Sequence, residues 1–514
     1  MITKRGAQEW ENVHVTERVQ LADLIFIDNS GPPGAQQPIG FDLLKQTAQD
    51  LEVVIQDARQ QEKRIRALGS GWALSDIAVT DGWLINTKAL NGCFDVSDKY
   101  FHDSYEKEKQ PYLVVAQCGI SIGELNMHLE DARHSGLRRA LKTSGIGAGQ
   151  TVAGAISGNT HGSAIKFGST PDFIVGVQLV SGTGKSYWIE RESNPVLNDE
   201  FTAKLEAISI RDDDVFNAAL VSFGSFGVIS AVAIETDPIY HLKFPPVRGV
   251  DHQSLKNKLR DLSKIDLDSP SAPFHYEFIF NAYDRKKIAL EVAATKVDYE
   301  PEHETLDPVW IVRFEKGFAI GDRIASMLLG MTFLPWKWLT AIAFKAYREK
   351  NLLDDVRNTP GRLFTATISY FEGNTESALG VSIDDAPKVL DIYCDVIKRS
   401  KVLGVCQVRI VHPTEALLGF TCHAPKTVIF ELGMANNSRF SLFEKTLTDE
   451  LRAAKVNYTF HWSKNSGINK ERLLEMYGTD RVTRWRAARD RVFNNDNSLK
   501  RVFDNPHIER AGLT

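Results

Sequence analysis

The chain has 514 residues, 43% hydrophobic and 25% charged, with a formal net charge of −5 and a pI near 6.3. That length exceeds what one hydrophobic core serves and predicts two or three domains. The slight acidic excess leaves no cation surplus to neutralise phosphates, which argues against nucleic-acid binding.

Met1–Glu11 is polar and lacks the apolar centre of a signal peptide, so the expected location is the cytoplasm. Residues 1–39 read as an N-terminal extension ending in the polar, Gly/Pro-containing stretch Asn29–Gln37. Phe41–Gln61 places Leu43, Leu44, Ala48, Leu51, Val54 and Ala58 at helical spacing and predicts an amphipathic helix. Ile65–Leu68 reads as a strand running into the turn Gly69-Ser70-Gly71. Strands at Trp83–Asn86 and Tyr112–Ala116 and a helix over Ile122–Asp131 continue a mixed α+β pattern. Gly145, Gly147, Gly149, Gly154, Gly158, Gly162 and Gly168 then crowd one segment. No helix or strand tolerates that density without reason, and such a backbone lets main-chain N–H groups close around an anion or a flat ligand. Phe173–Val180 and Ser186–Ile189 predict a hairpin through Ser181-Gly182-Thr183-Gly184. A helix over Val215–Leu220 precedes a second glycine turn, Phe223–Gly227, and a strand, Val228–Thr236, stopped by Pro238.

Beyond Pro238, strands are expected at Phe274–Phe280, Ile288–Thr295, Leu363–Tyr370, Cys406–Val411 and Thr427–Gly433. Helices are expected at Gln253–Leu262, Ala386–Ser400 and Leu442–Ala454. This predicts a second α+β domain. The apolar runs Ile324–Trp336 and Trp338–Phe344 are too short to span a membrane and read as a buried helix pair broken at Pro335, or as a lid or membrane-resting surface. The tail, Lys470–Asp496, is charged and helical and is expected to pack on the first domain. The five cysteines, Cys93, Cys118, Cys394, Cys406 and Cys422, show no CxxC spacing and read as reduced thiols. His412 and His423 lie near two of them without zinc spacing, so no metal is expected.

Three stretches carry a resemblance. Ile65–Asp76 resembles the pyrophosphate loop of the vanillyl-alcohol oxidase and p-cresol methylhydroxylase (PCMH-type) FAD-binding superfamily. Thr143–Gly162 resembles its second flavin segment, and Phe216–Ile234 resembles the end of its FAD domain, with Gly224 and Gly227. In the carboxy-terminal half His461-Trp462-Ser463-Lys464, with Arg409 upstream and Phe503-Asp504-Asn505-Pro506 at the end, is similar to the aldonolactone and alditol oxidase branch. The resemblance implies an α+β fold: a two-subdomain FAD-binding domain over 40–240, a substrate or cap domain on an antiparallel sheet over 241–465, and a helical tail over 466–514. It implies FAD contacts from Gly69, Ser70, Gly71, Trp72, Ala73, Leu74 and Ser75. Further contacts are implied from Thr143, Ser144, Gly147, Ala148, Gly149, Gln150 and Thr151, and from Gly154, Ala155, Ser157, Thr160, His161 and Gly162. Val228 and Ile229 complete the set. Glycine loops suit a pyrophosphate because its backbone donors approach closely, and hydroxyls such as Ser70, Ser75, Thr143, Ser144, Thr151 and Ser157 can add donors. Many relatives carry a flavin-linking histidine where this chain has Trp72. Indole is no comparable nucleophile, so a dissociable FAD is expected, with His161 a local structural histidine.

Oxidising an alcohol requires a hydride to leave carbon and the hydroxyl proton to reach a base or a cation-assisted acceptor. By resemblance Lys464 lies near flavin N1. Arg409 shares a strand face with Gln407, where relatives carry glutamate; glutamine orients a hydroxyl but takes no proton. Glu431, among apolar neighbours, and Glu277, on a face with His275, are the replacement acids, with Glu431 preferred. The expected partners are a small-molecule alcohol (polyol, sugar, aldonolactone or a more hydrophobic alcohol) and O2 or another electron acceptor. The alternatives are a dehydrogenase using a non-oxygen acceptor, and a non-oxidative cyclase or isomerase that keeps the flavin as scaffold.

Overall fold

The computed structural model describes residues 1–30, 38–145, 147–267, 269, 272–283, 289–303, 315–316, 355–364, 369–370, 374–435 and 438–514. The apolar runs at 324–344 lie outside the described residues. The amino-terminal half is built on two sheets. In the first, Ile65–Leu68, Trp83–Ala89 and Asp23–Asp28 run parallel, and Ile2–Lys4 adds an antiparallel edge. The segment read as an extension is therefore part of this sheet: Ile25 and Ile27 alternate into the core, while their neighbours lie half-buried on the other face. The second sheet orders Ile208–Arg211, Tyr187–Glu190, Ile174–Val180, Val228–Glu235, Leu113–Gln117 and Cys93–Asp95, antiparallel except at the first pair. The helix Gly40–Gln60 buries Leu43, Leu44, Ala48, Leu51, Val54 and Ala58, the stripe read from the sequence.

The carboxy-terminal half carries a nine-stranded sheet whose described pairs are all antiparallel. Its central strands are His275–Phe280, Gly404–Val411, Thr427–Ala435 and Asn374–Ser382. Tyr276, Phe278, Cys406, Val408, Ile410, Val428, Phe430 and Leu432 point to one face, where they pack with Val389, Leu390, Tyr393, Phe443 and Leu447 of the helices Ala386–Ser400 and Ser438–Ala453. Each such fully buried side chain contributes about 1.5–3 kcal/mol, so this face fixes the register. The strand expected over Leu363–Tyr370 is not formed as read: Pro360–Leu363 is a helical turn, with proline in its first turn where the missing N–H costs nothing, and only Ser369–Tyr370 is a described strand.

The tail returns to the amino-terminal half. Trp485, in the helix Lys470–Val492, packs at a tilt on Phe226 with ring centroids 4.9 Å apart and donates to the Val221 carbonyl. Asn505 donates to the carbonyls of Ile77 and Val79.

Candidate active site

Alternation along the central strands decides the chemistry of the sheet's other face. With the apolar residues committed to the helices, Glu277, Glu376, Gln407, Arg409 and Glu431 all turn the opposite way. Register completes the grouping: Glu277 lies opposite Arg409, and Gln407 opposite Glu431. Arg409 Nε stands 3.0 Å from Glu431 Oε2 and 3.4 Å from Glu277 Oε2, and Arg409 Nη2 donates to Gln407 Oε1 at 2.9 Å. His161 arrives from the glycine-rich segment, its Nε2 3.5 Å from Glu431 Oε1. Behind Glu277, His275 Nε2 lies 3.8 Å from Oε1. Burial alone would push Glu431 up, but the Arg409 charge, joined by His161 when its ring carries a proton on Nε2, outweighs it and takes the carboxyl down to about 2. Glu277 moves in the same direction: burial opposes, and His275 and Arg409 prevail.

A single cavity of about 940 Å³ runs from this cluster to the glycine loops. The loops meet without room for side chains: a Cβ on Gly69 would lie 2.1 Å from Thr151 Oγ1, and one on Gly158 2.4 Å from Ser463 Oγ. Gly71 has φ +69°, a left-handed conformation that favours glycine. The loop is strapped on two sides. Val13 N donates to Gly71 O at 3.0 Å and Asn12 Nδ2 to Ala73 O at 2.8 Å, while Leu74 N donates to Ser463 O and Ser75 Oγ to Trp462 O, each at 2.8 Å. His461 Nδ1 accepts from the Ser463 N–H at 3.1 Å, so a neutral ring carries its hydrogen on Nε2; burial pulls the ring down to about 3. Burial also lowers the Lys464 ammonium to about 8, and Lys464 pairs with Glu376. Nearby His14 is lowered to about 4 by burial and then by the Lys464 charge.

Of the residues expected on the cofactor, Gly69, Ser70, Gly71, Trp72, Ala73 and Ser75 line the cavity, as do Gly147, Gln150, Thr151, Gly154, Ser157, Thr160, His161 and Ile229. Leu74, Thr143, Ser144, Ala148, Gly149, Ala155, Gly162 and Val228 lie outside its lining. Among the expected catalytic residues Gln407, Arg409, Glu431 and Lys464 line it; Glu277 stands behind Arg409. Three of the loop hydroxyls expected as donors are engaged within the protein. Ser70 Oγ donates to Gly149 O, Ser75 Oγ to Trp462 O and Ser144 Oγ to Gly145 O, and Thr151 Oγ1 accepts from Gly154 N. The Ser70 and Ser75 bonds tie separate segments together, whereas those of Ser144 and Thr151 are local. Sequence reading passed over Trp10, Asn12, His14, Arg66 and Glu376, which also line the cavity. Arg66 had a signal, a cation inside an otherwise apolar strand; His14 and Asn12 had none, since only the hairpin Gln8–Glu11 with Arg18–Leu21 carries them to the loop.

Arg66 tests the fit of an anionic cofactor. It is 1% exposed, and its Nη1 donates to Phe223 O at 2.8 Å. Its Nε and Nη2, the edge that matches two oxygens of a phosphate, meet no partner among the described residues. Burial, then the Arg489 charge, lowers it to about 9. A dry cation with an open fork in the wall of a glycine cradle fits a dinucleotide pyrophosphate.

Known proteins agree. The FAD binding domain family matches residues 43–190. The chain is 24% identical over 487 residues to the L-gulono-1,4-lactone dehydrogenase of Mycobacterium tuberculosis (strain H37Rv), spanning 93% of this chain and 97% of that protein. It is 31% identical over 193 residues to the L-gulonolactone oxidase of Mus musculus, 38% of this chain and 36% of that protein. In structure it matches a cholesterol oxidase of Brevibacterium sterolicum with a TM-score of 0.69 at 14% identity, over 99% of this chain and 97% of that one, a likeness of fold. Fold, cradle and family match fit the PCMH-type FAD-binding superfamily, with FAD as the cofactor. Within that superfamily the chain fits beside the aldonolactone oxidases and dehydrogenases.

Proposed function

We propose that the chain is an FAD-dependent oxidoreductase that oxidises a CH–OH group of a small polar molecule, an aldonolactone, sugar or polyol. One observation carries this reading: a single cavity joins the glycine cradle to the Arg409 cluster. The described wall near that cluster presents Gln407, Glu431, His161, His461, Glu376 and Lys464, donors and acceptors suited to several hydroxyls rather than to an apolar alcohol. FAD, when bound, accepts the hydride with its electron pair. The protein's part is positioning and proton handling. Arg409 and Gln407 hold the substrate oxygen, Glu431 stands on the side to which the hydroxyl proton leaves, and Lys464 supplies positive charge on the flavin side. Trp72 occupies the position of the linking histidine of relatives, which supports a non-covalent FAD. The electrons pass on to O2 or to another electron acceptor. Five free cysteines suit a reducing compartment, which supports the cytoplasm. No helix among the described residues is long and apolar enough to cross a membrane.

Acid precipitation of the purified holoprotein should leave FAD in the supernatant; flavin in the pellet would refute the non-covalent reading. Anaerobic addition of L-gulono-1,4-lactone and related lactones and polyols should bleach the flavin band. Glu431→Gln and Arg409→Ala should slow that bleaching by about 10²–10⁴-fold. Wild-type rates in both variants would remove these residues from the reaction, and bleaching by no CH–OH compound would favour a non-oxidative enzyme.

A further inference from the structure

We propose that His161 is the catalytic base, receiving the substrate's hydroxyl proton on Nε2, with Glu431 stabilising the imidazolium across the domain boundary. This rests on the oxidative reading above and adds the proton's destination to it.

The ring is fixed before any ligand arrives. Its backbone bridges to Ser169, and the next residue is wedged: a Cβ on Gly162 would lie 2.5 Å from Ser144 O. The ring packs edge-on to Phe420 at 5.3 Å and lies 5.9 Å from His461. His161 Nδ1 is 3.1 Å from Gly162 O. A carbonyl only accepts, so Nδ1 carries a hydrogen and the neutral ring keeps its lone pair on Nε2. That lone pair faces Glu431 Oε1 at 3.5 Å, too long for a good hydrogen bond and with acceptor facing acceptor. Adding a proton turns this mismatch into a charge-assisted pair. The groups that face the ring are Glu431, with Arg409 and Glu277 behind it, and His461. Arg409 already engages the other oxygen of Glu431, so Glu431 stays a carboxylate and the incoming proton goes to the imidazole. His161 and Glu431 both line the cavity and Arg409 stands beside them, so a hydroxyl held by Arg409 lies within the same cluster. The step balances: the substrate O–H bond breaks and an Nε2–H bond forms, while the hydride and its electron pair leave carbon for FAD, the oxidant, and the C=O bond closes.

The test is anaerobic stopped-flow reduction of holoenzyme by a lactone that bleaches the wild type, across pH. The wild-type rate should fall on an acid limb of one proton. His161→Gln should keep its flavin spectrum, lose about 10²–10⁴ in rate and lose the acid limb. Glu431→Gln should move the limb to lower pH by at least about one unit, because removing the anion disfavours the imidazolium. A second readout needs no turnover: ¹⁵N-histidine NMR of the holoenzyme should show the His161 midpoint falling in Glu431→Gln. A His161→Gln variant with a near-wild-type rate and an unchanged limb would overturn the proposal, as would a His161 midpoint indifferent to residue 431. If no CH–OH compound bleaches the wild type, the oxidative reading fails and this one with it; if the wild type bleaches and His161→Gln matches it, only this one fails.

Discussion

A guanidinium in a dry wall is costly unless something with two oxygens meets it. Arg66 is such a group, with its fork open toward the cavity and one bond to Phe223 O. Arg66→Met should therefore do two opposite things. Without flavin it should raise thermal stability, because an unpaired buried charge has gone. With flavin it should weaken FAD retention by about 10–100-fold, the loss of one or two charge-assisted hydrogen bonds, while leaving riboflavin, which lacks phosphates, bound as before. Flavin fluorescence released on dilution of the holoprotein measures both ligands; equal losses for FAD and riboflavin would show that Arg66 does not grip phosphate. Arg66 was poorly legible because a lone strand arginine ordinarily reads as surface. Arg409, Gln407 and Glu431 were legible because period-2 alternation sets them apart from apolar neighbours on both sides. Glu277 was the ambiguous one, and burial behind Arg409 explains why: it belongs to the charge network but not to the cavity wall.

Among elements, the pairing of Gly404–Val411 with Thr427–Ala435 sets an amide beside a carboxylate. Gln407 has Glu431 as its cross-strand partner, so the two stand on one face, one strand spacing apart. A second carboxylate joins elements elsewhere. Glu130, at the end of the helix Ile122–Glu130, accepts from Thr359 Oγ1 at 2.7 Å and Gly361 N at 3.0 Å. Burial pushes it up to about 7 despite those bonds. Its folded pKa thus exceeds its unfolded one, so the folded state binds the proton more tightly. The stability this confers is present below about pH 4.5 and is lost as pH rises toward 7, roughly 3 kcal/mol in all. Glu130→Gln should flatten that slope, and its urea midpoint relative to wild type should rise between about pH 5 and about pH 8. A constant difference between the two proteins would refute it. The helix itself was readable from Ile122–Asp131, but its partner was not. The expected strand Leu363–Tyr370 begins on a residue that instead closes the helical turn Pro360–Leu363, whose proline sits in its first turn.

For the molecule as a whole, the glycine motifs made the flavin half legible, whereas the strands at its amino terminus were too short to show a period. What joins the ends to the site is the tail. Arg489, 2% exposed, donates to the carbonyls of Ser225 at 2.9 Å and of Lys500 and Leu513 at 3.0 Å, and to Asp504 Oδ1 at 2.7 Å. Ser225 lies in the turn between Gly224 and Gly227, both of which line the cavity. One buried cation therefore ties the last residues of the chain to the wall of the flavin site. Arg489→Met should cost about 3–5 kcal/mol, because it leaves Asp504 charged without its partner and takes the side-chain donor from the carbonyls of Ser225 and Leu513. The unfolding midpoint should fall in holoprotein and apoprotein alike, and FAD should leave more readily because the Phe223–Gly227 turn loses its support. Adding Asp504→Leu should restore part of the stability by removing the stranded charge, without restoring the bond to Ser225 O, so flavin retention should stay weak. If the double variant recovered both together, the tail would act on the site only through global stability; if Arg489→Met left both untouched, the tail would not brace the site at all.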